Sequence, residues 1–270
     1  EKRVAFRTLI EQVGPTFLVK DLTKAFVHNA LLVRMRDVSG NAANRDRKNL
    51  KAAWQYGLDF IDEFPQDMAE PFPRRKMAET RNDRYIPPEE DFWKVVEVAT
   101  GQDRVMLLTY FALAARRSEV YRLQLKDLDF KRNMVRLYTR KRENGTEEFD
   151  WLPMKGSLRK ELKAHVERKN ISDPEAYVFA NDLEHSRYKG SRYGKRKHWM
   201  KTLCMKAEVP YFTLHAIRHI TPSILDDQGE SLKTIQKIMR HKSPATTLKY
   251  LHQMRPERDA LERLEIKVPT

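Results

Sequence analysis

The sequence predicts a mainly α-helical chain with one small antiparallel sheet, built as two helical units. Three observations carry this. Most segments repeat apolar residues at helical spacing, as in the run with Phe26, Val27, Ala30, Leu31 and Met35. A single Asn144-Gly145 step between two strand-like runs marks one hairpin. Five prolines, at 65, 71, 73, 87 and 88, interrupt the helical pattern once, with Arg74, Arg75, Lys76, Arg81 and Arg84 among them.

The first helical run opens on Thr23, a side chain able to accept from the unpaired N–H groups of a first turn. Ser39-Gly40-Asn41 breaks it, and a second helix follows with Leu50, Trp54, Leu58 and Ile61 on one face. Asn44, Arg45, Arg47, Lys48 and Lys51 near its start suit either a DNA backbone or solvent. The expected boundaries are a DNA-binding helical domain over 1–64, a basic linker over 65–87 and a second domain over 88–270, with a tail from about 253. Pro88 followed by Glu89, Glu90 and Asp91 opens a helix, since proline fits a first turn and acids suit its positive end. The hairpin strands are predicted over 134–138 and 146–152, and later helices over 157–169, 193–207, 213–227, 231–240 and 243–252. In the tail, Pro256-Glu257 reads as a helix start with Leu261 and Leu264 on one face.

Composition narrows the function class. Hydrophobic residues form 40% of the chain, enough for a core, and no apolar run is long enough to cross a membrane. One cysteine, Cys204, excludes an internal disulfide and fits a reducing compartment; it is expected as a core thiol. The chain begins at Glu1 rather than Met and reads as a fragment. The formal charge of +14 favours a polyanionic partner, because phosphate contacts release condensed counterions. The charge is uneven: Arg187, Lys189, Arg192, Lys195, Arg196, Lys197, Lys201 and Lys206 fall in one stretch without an acidic residue. That stretch is expected to track phosphates.

Several chemistries lack their motifs. There is no HExxH, no paired CxxC, no EF-hand loop, no phosphate-binding GxxxxGK[ST] and no GxSxG. His215 and His219 stand at i, i+4 without a third ligand in the sequence pattern. No metal and no cofactor are expected.

What remains is an ordered set of cations and one phenol. Arg116-Arg117-Ser118-Glu119 comes first, then Arg140-Lys141-Arg142 on the hairpin, then His215-Ala216-Ile217-Arg218. His241 follows 23 residues after Arg218, and Tyr250 nine residues after His241. Singly each is an ordinary surface or core residue. Together they suit phosphoryl transfer: two guanidiniums clamp non-bridging oxygens and stay charged at any working pH. His215 faces the same side as Arg218 one turn away and can relay a proton. A hairpin lysine can protonate a leaving 5′ oxygen, and a tyrosine can conserve bond energy in a covalent link.

This order of residues resembles the tyrosine recombinases of the phage integrase family, over nearly the whole chain. The resemblance implies a two-domain DNA breaking-and-rejoining architecture, with a helical core-binding domain before the linker and a catalytic domain after it. Ala43-Asn44-Arg45-Asp46 stands in place of the family's usual opening of its last core-binding helix. By position, Arg116, Lys141, His215, Arg218, His241 and Tyr250 match the catalytic set, Glu119 the supporting acid, and Arg117 a variable position. Arg45, Lys48, the basic residues from Arg187 to Lys201 and Arg240 are the expected DNA contacts. Arg240 stands where the family usually has glycine, and Ala216 where it often has Asp. The resemblance further implies double-stranded DNA as partner, a tetramer of this chain on paired sites, accessory DNA-bending proteins, no membrane, and action in the bacterial cytoplasm. A type IB topoisomerase and a catalytically silent DNA-binding regulator are the alternatives.

Overall fold

In the computed structural model, the described residues are 2–80, 85–141, 147–196 and 198–252, the side chains of Lys2, 139–141 and 249–252 excepted. The Asn144-Gly145 turn, Lys197 and the expected tail lie outside them. The described residues form α-helices and one three-stranded antiparallel sheet, in two compact units, Glu1–Asp83 and Arg84–Thr270.

The first unit holds α1 (Lys2–Val13), α2 (Lys24–Asp37) and α3 (Gly40–Phe60). Thr23 caps α2 by accepting from the Phe26 N–H at 3.4 Å, and Ser39 caps α3 by accepting from Ala42 N–H at 3.2 Å. Helix α1 had no expectation attached; it contributes Ala5 and Leu9 to a core with Val27, Leu31, Leu50 and Trp54. The segment expected as a linker is in large part not one. Phe72 and Met77 are buried in this same core, and Trp54 meets Phe64 and Phe72 edge-on at 4.9 and 6.1 Å. Asn44 exchanges two 2.9 Å hydrogen bonds with the Met77 backbone, and Arg47 donates to the Pro73 carbonyl. Gly40 is required here: a Cβ on it would stand 1.7 Å from the Ala78 carbonyl oxygen. Proline removed the donors of this stretch, and α3 side chains supply partners for what is left.

The second unit runs α4 (Glu89–Val98), α5 (Gly101–Ala112), α6 (Arg117–Tyr121), then strands β1 (Leu128–Asp129), β2 (Met134–Lys141) and β3 (Glu147–Pro153). Helices α7 (Gly156–Arg168), α8 (Trp199–Lys206), α9 (Leu214–Asp227), α10 (Leu232–Met239) and α11 (Pro244–His252) follow. Its core gathers Phe92, Met106, Tyr110, Leu137, Phe179 and Ile217, and Cys204 is buried within it. Strand β2 pairs with β3 from Met134↔Pro153 to Lys141↔Glu147, with a bulge between Tyr138 and Arg140. Strand β2 is longer than expected, and β3 has the expected length one residue later.

One helix is markedly shorter than expected. Helix α8 begins at Trp199, not at 193. Asp103 of α5 explains the loss: it accepts from both Arg196 Nη atoms, at 2.6 and 3.0 Å, and from Trp199 Nε1 at 2.7 Å. Arg196 also lies over the rings of Tyr193 and Trp199, at 4.7 and 4.2 Å from their centroids. These contacts hold residues 193–196 in an irregular path that helical periodicity does not encode.

Candidate active site

The site is built around one buried carboxylate. Helix α5 ends at Ala112, and Ala114 then takes a left-handed backbone, φ +43°. The chain turns and α6 opens on Arg116. Glu119 reaches back to the start of its own helix, its Oε2 accepting from Arg116 N–H and its Oε1 from Arg116 Nη1, both at 2.7 Å. A helix start and the box expected to be catalytic are therefore the same structure, because the acid that caps the helix also fixes the guanidinium.

Two further arginines converge on Glu119 from the C-terminal helices. Arg218 of α9 is 1% exposed, lies 3.9 Å from Glu119 Oε2 and donates to the carbonyls of Ala114 and Met239. Arg240, just past α10, places Nη2 2.9 Å from Glu119 Oε2 and 3.0 Å from the Ala114 carbonyl. Its Nη1 donates to the carbonyls of Leu113 at 3.1 Å and Ile238 at 2.8 Å. Arg116 Nη2 in turn donates to the Arg240 carbonyl at 3.4 Å. Burial pulls the Arg240 pKa down and Glu119 pulls it back up; a guanidinium keeps its proton under these conditions.

Arg240 corrects a sequence expectation. It was expected on the surface as a DNA contact, yet its side chain is 2% exposed and held by four acceptors. Its backbone is left-handed, φ +52° and ψ +47°, at the position ending α10 where glycine is the usual residue. A residue with a Cβ is strained there by about 1 kcal/mol.

The remaining expected residues divide by place. His215 lies one turn before Arg218 on α9, exposed, with its ring 4.8 Å from that of His219. His241 follows Arg240, and its Nδ1 is 3.0 Å from Thr247 Oγ1 on α11. Tyr250 stands one turn beyond Thr247 on that helix, which packs against α9 and α10. Lys141 ends β2 opposite Glu147. Glu147 pairs with Arg122, directly after α6, and Glu148 lies 3.7 Å from Lys242, directly after His241. The start of β3 is thus tied to the same two segments that supply Arg116 and His241. Tyr110, Tyr121 and Tyr193 are core or half-buried, and burial raises the pKa of each, that of Tyr193 to about 12.

Of the expected DNA contacts, Arg45, Lys48, Arg187, Lys189, Arg192, Lys195 and Lys201 are exposed. Lys189 pairs with Glu184 at 3.0 Å. Arg196 is committed to Asp103, so an acid from another helix does neutralise part of this basic stretch, contrary to the expectation from the local sequence. Asp103, Thr247 and the structural part of Arg240 escaped sequence reasoning. Only Arg240 carried a signal, a non-glycine residue just after a helix and before His241. Among the described residues no three His, Cys, Asp or Glu side chains are grouped to hold a metal.

Residues 90–256 match the phage integrase family. The tyrosine recombinase XerC of Chlamydia caviae is 29% identical over 161 residues, which span 56% of this chain and 47% of that relative, about half its length. Among solved structures, the Tn1549 transposon integrase in complex with transposon right end DNA superposes with a TM-score of 0.64 at 20% identity, covering 97% of this chain and 91% of that one. A λ integrase dimer bound to a COC′ core site gives a TM-score of 0.70 at 14% identity, covering 99% and 73%. These likenesses show the tyrosine recombinase fold.

Proposed function

The chain belongs to the phage integrase family, and on that premise we propose that it is a site-specific DNA recombinase with Tyr250 as nucleophile. The phenol oxygen of Tyr250 attacks a DNA phosphodiester. The P–O5′ bond breaks, leaving a 3′-phosphotyrosyl link and a free 5′-hydroxyl. The 5′-hydroxyl of a partner strand then attacks the phosphotyrosine and releases Tyr250.

The observation that carries this reading is the convergence of Arg116, Arg218 and Arg240 on the single carboxylate of Glu119. One acid among three guanidiniums leaves the cluster positive, as a pentavalent phosphorane-like transition state requires. Arg116, still 30% exposed at its side chain, meets the non-bridging oxygens, and Arg218, 1% exposed, joins it by releasing the Ala114 and Met239 carbonyls. His215 and His241 handle protons or donate to the phosphate, and Lys141 protonates the leaving oxygen. The His241–Thr247 contact sets the start of α11 and with it the path to Tyr250.

Double-stranded DNA is the substrate and a tetramer of this chain on two sites is the working assembly; accessory DNA-bending proteins assist it. Arg45, Lys48 and the exposed basic residues from Arg187 to Lys201 hold the backbone. The gene belongs to a phage, prophage or other integrative element, and the protein acts in the bacterial cytoplasm. The test uses a library of nicked duplexes, incubated with protein and run on a denaturing gel. Wild type gives a protein–DNA band of retarded mobility, and Tyr250→Phe binds in a native gel without giving that band. An adduct formed by Tyr250→Phe overturns the assignment.

A further inference from the structure

We infer that Arg240 is a positioning residue that restores, from beneath, the positive charge Glu119 removes from the phosphate-facing arginines. The inference rests on the recombinase reading above. Glu119 is needed to hold Arg116, through its backbone and its guanidinium. That carboxylate also costs the site one unit of field. With Arg116, Arg218 and Arg240 around it, the cluster has a formal charge of +2. A glycine in place of Arg240 would leave +1, counted over the same groups.

The local structure argues that the guanidinium is kept for its charge and grip. A glycine would relax the left-handed backbone at φ +52°, yet an arginine stands there. Its side chain turns inward, 2% exposed, and would have to give up a 2.9 Å ion pair and three carbonyls to reach a phosphate, where Arg218 gives up two carbonyls. Arg240 accepts the desolvation of burial instead, its two Nη atoms held by Glu119 and three carbonyls while its buried Nε has no partner among the described residues. Two of those carbonyls, Leu113 and Ala114, close α5 directly before Arg116. The Ala114 carbonyl accepts from Arg218 as well, so both phosphate-facing arginines are fixed to a turn that Arg240 pins. In a buried site a unit charge is poorly screened and acts over several ångströms.

The experiment compares wild type, Arg240→Lys, Arg240→Met and Arg240→Gly. Each is mixed in excess with a nicked duplex recovered from the library by wild-type adduct formation. A second duplex carries a methylphosphonate at the same linkage, which removes the charge of one non-bridging oxygen. Thermal melts accompany each variant, and the lysine and methionine variants keep the side chain's bulk if glycine fails to fold. On the phosphodiester, Arg240→Met is expected to form adduct roughly tenfold to hundredfold more slowly than Arg240→Lys, at unchanged affinity for DNA. On the methylphosphonate that ratio is expected to shrink severalfold, a change a merely structural residue would not produce. A Met-to-Lys ratio near one, or the same ratio on both duplexes, overturns the inference. Absence of any wild-type adduct across the whole library, with DNA binding intact, overturns the recombinase reading, and the inference with it.

Discussion

At the scale of single residues, Glu119 makes two adjacent arginines unequal. Arg116 is bound to it twice and faces the site, whereas Arg117 is the first residue of α6 and exposed. Arg116→Ala is therefore expected to abolish adduct formation, and Arg117→Ala to slow it by no more than severalfold. Parallel single-turnover assays check this, and a dead Arg117 variant with an active Arg116 variant would reverse the roles. Glu119→Gln probes the other side of the pair. It leaves buried guanidiniums facing a neutral amide that can donate as well as accept. Removing one partner from a buried charge cluster typically costs about 3–5 kcal/mol. The expected result is a lower urea midpoint at unchanged slope; an unaltered midpoint would mean that the three arginines do not depend on this carboxylate.

Among the elements, α7 makes a pH-dependent contribution independent of the site. His165 is buried, its Nε2–H donates to the Val178 carbonyl at 2.8 Å, and its ring stacks on Phe179 at 5.4 Å. Burial lowers its pKa below the ordinary value near 6.5. As pH falls through about 6.5 the unfolded chain takes up this proton first. Stability is thus full above that range and declines below it, levelling once pH passes the folded-state pKa. Urea midpoints from pH 8 to pH 5 should fall for wild type and fall less steeply for His165→Gln. Equal slopes would place the titration elsewhere. The helices carrying the site were legible because caps and periodicity are local: Thr213 and Ser231, where two of the expected helices begin, cap α9 and α10. What stayed hidden is non-local. Residues 65–80 fold back because Gly40 leaves room and Asn44 supplies partners 33 residues away. Helix α8 loses its first turn to Asp103, 93 residues before Arg196. The order of Arg116, Arg218, His241 and Tyr250 was readable as a pattern, but the carboxylate sharing that includes Arg240 depends on a turn 126 residues away at Ala114.

For the whole molecule, the question is how a net charge of +14 is spent. Part of it is neutralised internally: Arg34 pairs with Asp46, Arg136 with Asp127 and Arg196 with Asp103, each partly or wholly withdrawn from solvent. Arg136 also lies over Tyr138, Phe149 and Trp151, at 5.2 to 5.6 Å from their centroids. The cations left on the surface are the ones that can release counterions from DNA. Arg187, Arg192 and Lys195 are exposed, whereas Arg196 is 21% exposed at its side chain and bonded to Asp103. Neutralising Arg187, Arg192 and Lys195 together, each to Gln, should therefore flatten the dependence of log K on log[salt]. The loss on duplex DNA is about 0.9 per phosphate contact removed. Arg196→Gln should instead leave that slope nearly unchanged and lower the melting temperature, because it unties α5 from the segment before α8. Both quantities come from one set of fluorescence titrations across salt and one set of melts. If Arg196→Gln changed the slope by a full contact while the triple variant did not, the exposed stretch would be a solvated face and the residue held by Asp103 would be the one that meets phosphate.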